Sequence, residues 1–314
     1  MNKKYTWAVR FYTAMVLFSA CTSPQDRAER LFQRGNEAIG DKNYPLALHY
    51  FEQVVSLDST RADAYNNQGV VHASMGNHQK AIVQYQKALK IDKKFFDAYF
   101  NRANSHYETA QYPKAIEDLN QAIALYPDSA YFSHFARARA YLALQNYAKA
   151  YEDIEIYIKR KTISPIGYEI GGFLQYKMKN YEKATTLLQK AIEINPKQDL
   201  SYANLGLIAL AKKQYTQAQK YIDKALEINS LEPYSLNAAA LLYLYQTQPQ
   251  KAMPFLEKSV KIDSTLLETR QIKALLLWQN KKTKEAQSLI NNLQKEGKKL
   301  EIWENFMQSY SNAP

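Results

Sequence analysis

Small and large apolar residues recur along this chain at one fixed interval. Alanine stands at Ala47, Ala81, Ala115, Ala150, Ala184, Ala218, Ala252 and Ala286, in steps of 34 residues with a single step of 35. Four residues after each comes a large apolar side chain, from Phe51 and Tyr85 through Leu119, Ile154, Leu188, Ile222 and Leu256 to Ile290. Twelve residues before each stands glycine or alanine, at Gly35, Gly69, Ala103, Ala138, Gly172, Gly206, Ala240 and Ala274. Tyrosine precedes five of the alanines by three positions, at Tyr44, Tyr112, Tyr147, Tyr181 and Tyr215. Residues four apart share a helix face, and small residues mark the places where two helices close on each other. Short polar turns such as GDKNY and MKNYEK part each period into halves. The pattern therefore predicts eight helical hairpins, each covering the apolar face of its neighbour, over residues 28–61, 62–95, 96–129, 131–164, 165–198, 199–232, 233–266 and 267–300.

Two departures punctuate the array. Ala130 is the residue behind the one longer step, and Tyr157 occupies a column that is elsewhere small, just before KRKTISP at 159–165. A hinge between units 28–164 and 165–300, or simply a longer connection, would account for both. After the last period, Ile302, Trp303, Phe306, Met307 and Tyr310 recur at helical spacing, which predicts a final helix over 301–314. Repeat arrays need their last apolar face covered, so a cap is the first reading of that helix. A partner-binding helix is the other.

The period and its landmarks resemble the tetratricopeptide repeat. The family's first aromatic landmark corresponds to Tyr65, Tyr99, Tyr168 and Tyr202, and its closing proline to Pro127 and Pro196. The resemblance implies an all-α fold, a right-handed superhelical solenoid of antiparallel helix pairs whose first helices line a concave groove. Mapped onto this chain, the groove columns of the N-terminal half hold Phe32, Asn36, Asn66 and Asn67, then Phe100, Asn101, Asn104, Tyr107 and Arg139. Amides both donate and accept, so such a surface suits the backbone of an extended peptide, with aromatic rings beside it for side chains. Chaperone-binding members of the family clamp a terminal carboxylate with basic residues. Here Phe32, Asp97 and Asn101 stand at those positions, which argues against a free C-terminus as ligand. In the C-terminal half the same columns hold Phe173, Tyr176, Leu207 and Leu210, followed by Tyr234, Leu241, Leu244, Tyr245, Leu275 and Trp278. An apolar surface of this kind fits an amphipathic helix of a partner, or closure against the chain's own C-terminal segment.

The first residues carry a different signal. Lys3, Lys4 and Arg10 precede a short uncharged run from Phe11 to Ala20, too short to span a bilayer but suited to a signal-peptide core. The chain's single cysteine follows at Cys21 after Ser19 and Ala20, an arrangement that resembles the lipobox of bacterial lipoproteins. That resemblance implies cleavage after residue 20, lipid attachment at Cys21 and a short tether over 21–27. Thr22, where an inner-membrane retention signal would place aspartate, implies the outer membrane facing the periplasm.

Composition narrows the rest. Only 9 glycines and 10 prolines occur in 314 residues, too few for a fold of strands and tight turns. One cysteine excludes an internal disulfide framework and a cysteine-built zinc site. The net charge of +11 falls by three to +8 once residues 1–20 are removed, and suits anionic headgroups or an acidic partner better than DNA. His72 and His106 share a column normally filled by a space-filling tyrosine, so hydrogen-bonded packing is expected of them. No phosphate-binding glycine loop, HExxH or G-x-S-x-G is present. The expected function is non-catalytic: a lipid-anchored scaffold or adaptor binding a protein or peptide at the bacterial cell envelope. A structural subunit of a secretion, pilus or outer-membrane assembly machine is the alternative, and an envelope enzyme a remote third. No cofactor, metal, small-molecule substrate or nucleic acid is expected.

Overall fold

The computed structural model describes residues 23–127, 130–161 and 163–311. Cys21 and the whole of the expected signal segment lie outside these residues. Among the described residues all regular structure is helical, and the helices group into two compact units that divide between Asn146 and Tyr147.

The first unit holds α1 (Pro24–Gly40), α2 (Tyr44–Leu57), α3 (Ala62–Ser74), α4 (His78–Ile91), α5 (Phe96–Glu108), α6 (Tyr112–Leu125) and α7 (Tyr131–Ala143). The second holds α8 (Tyr147–Arg160), α9 (Pro165–Lys177), α10 (Tyr181–Ile194), α11 (Asp199–Ala211), α12 (Tyr215–Ile228), α13 (Pro233–Tyr245), α14 (Pro249–Ile262), α15 (Leu267–Gln279), α16 (Thr283–Lys295) and α17 (Glu301–Ser311). Hairpins α1–α2, α3–α4 and α5–α6 build the first unit, and α9–α10, α11–α12, α13–α14 and α15–α16 the second. The first helices of successive hairpins also touch, α1 to α3 to α5 to α7 in one unit and α9 to α11 to α13 to α15 in the other. The fold is an all-α helical-repeat solenoid, as the periodicity predicts.

The four recurring columns have direct physical counterparts. The alanines Ala47, Ala81, Ala115, Ala184, Ala218, Ala252 and Ala286 are all fully buried. The small column faces the large one within the same hairpin: a Cβ added at Gly35 would lie 2.6 Å from the Phe51 ring, and one at Gly172 would lie 2.6 Å from Leu188. Close helix approach therefore sets both columns at once. The first helix of every repeat is followed by a single left-handed residue, at Lys42, Gly76, Ala110, Gln145, Lys179, Lys213, Thr247 and Lys281. In the first of these turns the Lys42 N–H donates to the Ile39 carbonyl at 2.9 Å, and the Asn43 N–H donates to the Ala38 carbonyl at 2.8 Å. Those two bonds close a Schellman motif and satisfy carbonyls that the helix end would otherwise leave unpaired.

Two boundaries differ from expectation. α1 starts at Pro24, inside the stretch expected as a tether, because Ser23 and Asp26 form a capping box: the Asp26 N–H donates to Ser23 Oγ at 3.0 Å and the Ser23 N–H to Asp26 Oδ2 at 3.1 Å. The division between the units falls inside the fourth repeat, between its two helices, while the segment at 159–165 joins α8 to α9 within the second unit. There the large Tyr157 is accommodated by Gly167, whose added Cβ would lie 2.9 Å from its ring. The Tyr157 hydroxyl also hydrogen-bonds Ser164 Oγ at 3.2 Å across the connection.

Candidate functional site

In the first unit the sequence-predicted asparagines meet one another. Asn67 Nδ2 donates to Asn36 Oδ1 at 2.8 Å, Asn66 Nδ2 to Asn67 Oδ1 at 3.2 Å, and Asn101 Nδ2 to Asn66 Oδ1 at 3.1 Å. The result is a ladder of four amides running from α1 through α3 to α5. Besides the second N–H and lone pair that each bonded rung keeps, the Asn36 Nδ2 and the Asn101 Oδ1 make no hydrogen bond among the described residues and face anything outside the ladder. Asn104 is half-buried and makes no side-chain hydrogen bond among the described residues. The aromatic members flank the ladder. Phe32 packs edge-on against Phe51 at 5.6 Å and lies under the Arg61 guanidinium at 4.7 Å. Phe100 stacks on Phe96 at 6.1 Å, and the exposed Arg139 sits 4.4 Å above the Tyr107 ring.

A buried polar cluster lies behind this face. Arg102 pairs with Asp118 through two hydrogen bonds of 2.8 and 2.5 Å, and His106 Nε2 stands 3.9 Å from the same carboxylate. Burial lowers the pKa of both His72 and His106. The Nδ1 atom of each is buried and makes no hydrogen bond among the described residues, so the hydrogen bond expected of these histidines is not seen there.

The ten apolar residues of the second unit separate into two groups. Leu244 and Leu275 are fully buried, and Leu210 nearly so. Leu210 is buried among α11, α12 and α13. For Leu244 and Leu275 the reason is α17: Phe306 lies 4.9 Å from the Tyr245 ring and 6.3 Å from Trp278, in one cluster with Leu244 and Leu275 and with Leu241 against its edge. The chain's own C-terminal helix thus covers this part of the face, the second of the two occupants the sequence left open. Its seat is specific. Gln271 Oε1 accepts from the Ile302 and Trp303 N–H groups at 3.0 and 3.2 Å, Arg270 forks onto Glu296 at 2.8 and 2.7 Å, and Lys177 pairs with Glu301. Leu207 is buried between α11 and α13, with Tyr176 packed against the same cluster.

Phe173 and Tyr234 belong to the second group, which stays open. They meet at 6.4 Å and line a cleft of about 690 Å³ formed by α9, α11, α13, the end of α14 and the start of α15. Its apolar wall includes Ile170, Leu200, Ile262 and Leu266. Its polar groups are Asn204 and Asn237 and four carboxylates, Glu169, Glu232, Asp263 and Glu268. Tyr234 is fixed by donating its hydroxyl to Asn204 Oδ1 at 2.8 Å, and burial raises its pKa well above the ordinary phenol range. Asn237 is held by Thr269, to which its Nδ2 donates at 2.9 Å. Glu169 Oε2 accepts from Ser201 Oγ at 2.9 Å and Gln198 Nε2 at 3.1 Å. Burial nonetheless raises the Glu169 pKa, and the neighbouring Asp199 adds to the shift.

None of these four carboxylates was singled out from the sequence. Glu169 and Glu268 come from helix starts, Glu232 from the residue before α13, and Asp263 from the residue after α14. No shared repeat position links them. The Gln271 seat for α17 was missed for the same reason.

Family models recognise the repeats. Residues 62–95 and 96–129 match the tetratricopeptide repeat, as do 168–198 and 187–220 in further models of that repeat. Residues 211–293 match the model described as anaphase-promoting complex, cyclosome, subunit 3. The chain contains tetratricopeptide repeats, a fold that serves as a protein-interaction scaffold. No curated protein matches the chain. Among solved structures it is similar to a tetratricopeptide repeat protein from Parabacteroides merdae, at 18% identity and a TM-score of 0.63, over 80% of this chain and 99% of that one. The C-terminal part of a repeat-containing protein from Cytophaga hutchinsonii aligns at 16% identity and a TM-score of 0.58, over 77% of this chain and 98% of that one. The Cut9–Hcn1 hetero-tetramer of the APC/C aligns at 18% identity and 0.58, over 80% of this chain and 53% of that one. At these identities the likeness is one of fold.

Proposed function

We propose that this protein is a non-catalytic adaptor that holds a protein partner on the face built by its first helices, anchored at the bacterial envelope through a lipid on Cys21. The observation that carries the binding reading is the open cleft of about 690 Å³ around Phe173 and Tyr234. Anchor side chains of a protein partner seat in pockets near the centre of an interface, and a cleft with an apolar wall and fixed polar groups offers one. The amide ladder of the first unit supplies a second polar face. The envelope reading is supported by the basic start, short apolar run and lone cysteine of residues 1–21.

Crosslinking in cells from a photoreactive residue placed at Ile262, on the rim of the cleft, tests the binding reading. A discrete protein adduct is expected, and it should be lost when Leu266→Trp fills the cleft beside the probe. Absence of any adduct sinks the reading. For the anchor, Cys21→Ser should abolish acyl labelling and release the protein from membranes, and unchanged labelling would refute it.

A further inference from the structure

We infer that the cleft of the second unit takes a basic segment of the partner, with an arginine or lysine side chain lying against Phe173 and Tyr234 among Glu169, Glu232 and Glu268. This rests on the binding reading above and names the chemistry of its ligand. Four carboxylates line the cleft and no lysine or arginine does. The protein as a whole carries +11, so a local surface of the opposite sign is not a consequence of composition. Aromatic faces attract cations, and Phe173 and Tyr234 supply two rings in the same wall. A guanidinium can stack on a ring and fork onto a carboxylate at once.

The state of Glu169 points the same way. It is held by two hydrogen bonds, yet burial still disfavours its charge, and the charged neighbour acting on it is Asp199, another acid. An entering cation would relieve that cost. An acidic segment would compound it, and the chain's own α17 carries Glu301 and Glu304 in its first turn and is seated elsewhere. The apolar residues Ile170, Leu200 and Leu266 call for apolar neighbours beside the basic residue in the bound segment.

The test uses the full chain and a fluorescent positional-scanning library of short peptides, each position fixed in turn as one amino acid. Pools fixed as arginine or lysine should bind about tenfold more tightly than pools fixed as glutamate. That preference should disappear in Glu232→Gln/Glu268→Gln; Glu268 is exposed, and glutamine at 232 still offers an oxygen to the Tyr234 N–H that Glu232 caps at 3.3 Å, with the fold checked by circular dichroism. Ile262→Trp, an exposed position that fills the cleft, should weaken every pool. Binding without a basic preference, or a preference that survives the double variant, overturns the cationic inference; if Ile262→Trp still weakens it, the cleft remains the ligand site. Failure of all pools to bind, or binding indifferent to Ile262→Trp, overturns both readings.

Discussion

Asn67 donates its side-chain amide to Asn36 at 2.8 Å, joining the first helices of two successive repeats. These two residues sit 31 positions apart and face the side where a ligand is expected, so the contact both stabilises the array and sets what a ligand finds there. Asn67 is the central rung: its Oδ1 also accepts from Asn66 at 3.2 Å. Asn67→Ala strands both neighbours and should cost about 1 kcal/mol in urea unfolding. In a double-mutant cycle with Asn36→Ala the coupling should be about 0.5 kcal/mol or more. Strict additivity would mean that the rung contributes nothing.

Gly172 tests the link between the small and large columns. Its added Cβ would lie 2.6 Å from Leu188 and 3.2 Å from the Ala184 carbonyl oxygen, so side chain and backbone both resist it. Gly172→Ala should destabilise by about 1–3 kcal/mol despite alanine's higher helix propensity. Leu188→Val in the same chain should recover part of that loss. Stabilisation by Gly172→Ala would show that the helices do not approach as closely as described.

The repeat was legible because its cause is local and recurs: each large residue meets the small residue of its own hairpin, as Phe51 meets Gly35, so one contact prints two of the four columns. The asparagines of the candidate site were legible as positions but not as partners, since an amide exposed to a ligand and one bonded to Asn36 look alike in sequence. Glu169 and Glu268 stand in groove columns without having been singled out, and Glu232 and Asp263 lie outside those columns. All four come from helix starts and flanking residues of different repeats, and only the stacking of α9 to α15 brings them to one cleft. For the apolar C-terminal columns, the sequence allowed two occupants. The choice depended on Gln271, a glutamine at no repeat landmark, capping α17.

The left-handed turns carry a measurable strain. Of the eight, only Gly76 is glycine, while Thr247 is β-branched and holds φ at 56°. A β-branched residue is among the worst for this region, at a cost of about 1–2 kcal/mol. Thr247→Gly should therefore raise stability by about 1 kcal/mol and the melting temperature by a few degrees. Gly76→Ala is the mirror experiment. Its added Cβ meets nothing within 4 Å, so any loss comes from the backbone at φ 75° alone. Equal stability in both variants would contradict the turn geometry.

Glu169 links stability to pH in a direction opposite to most carboxylates. Burial, reinforced by Asp199, raises its folded pKa above the ordinary glutamate value. A raised folded pKa means the folded state holds the proton more tightly than the unfolded chain does. The favourable contribution is therefore complete below the unfolded pKa and is lost as pH rises through the folded one. At neutral pH the ionised group is a net cost. Glu169→Gln keeps an acceptor for Ser201 without the charge, so it should match the wild type near about pH 4 and exceed it near about pH 7 in urea unfolding. Saturating basic peptide should shrink that advantage, because a bound cation stabilises the carboxylate and has nothing to neutralise on glutamine. A variant no more stable than wild type at neutral pH would mean that Glu169 is solvated, and the cleft correspondingly wetter than its lining indicates.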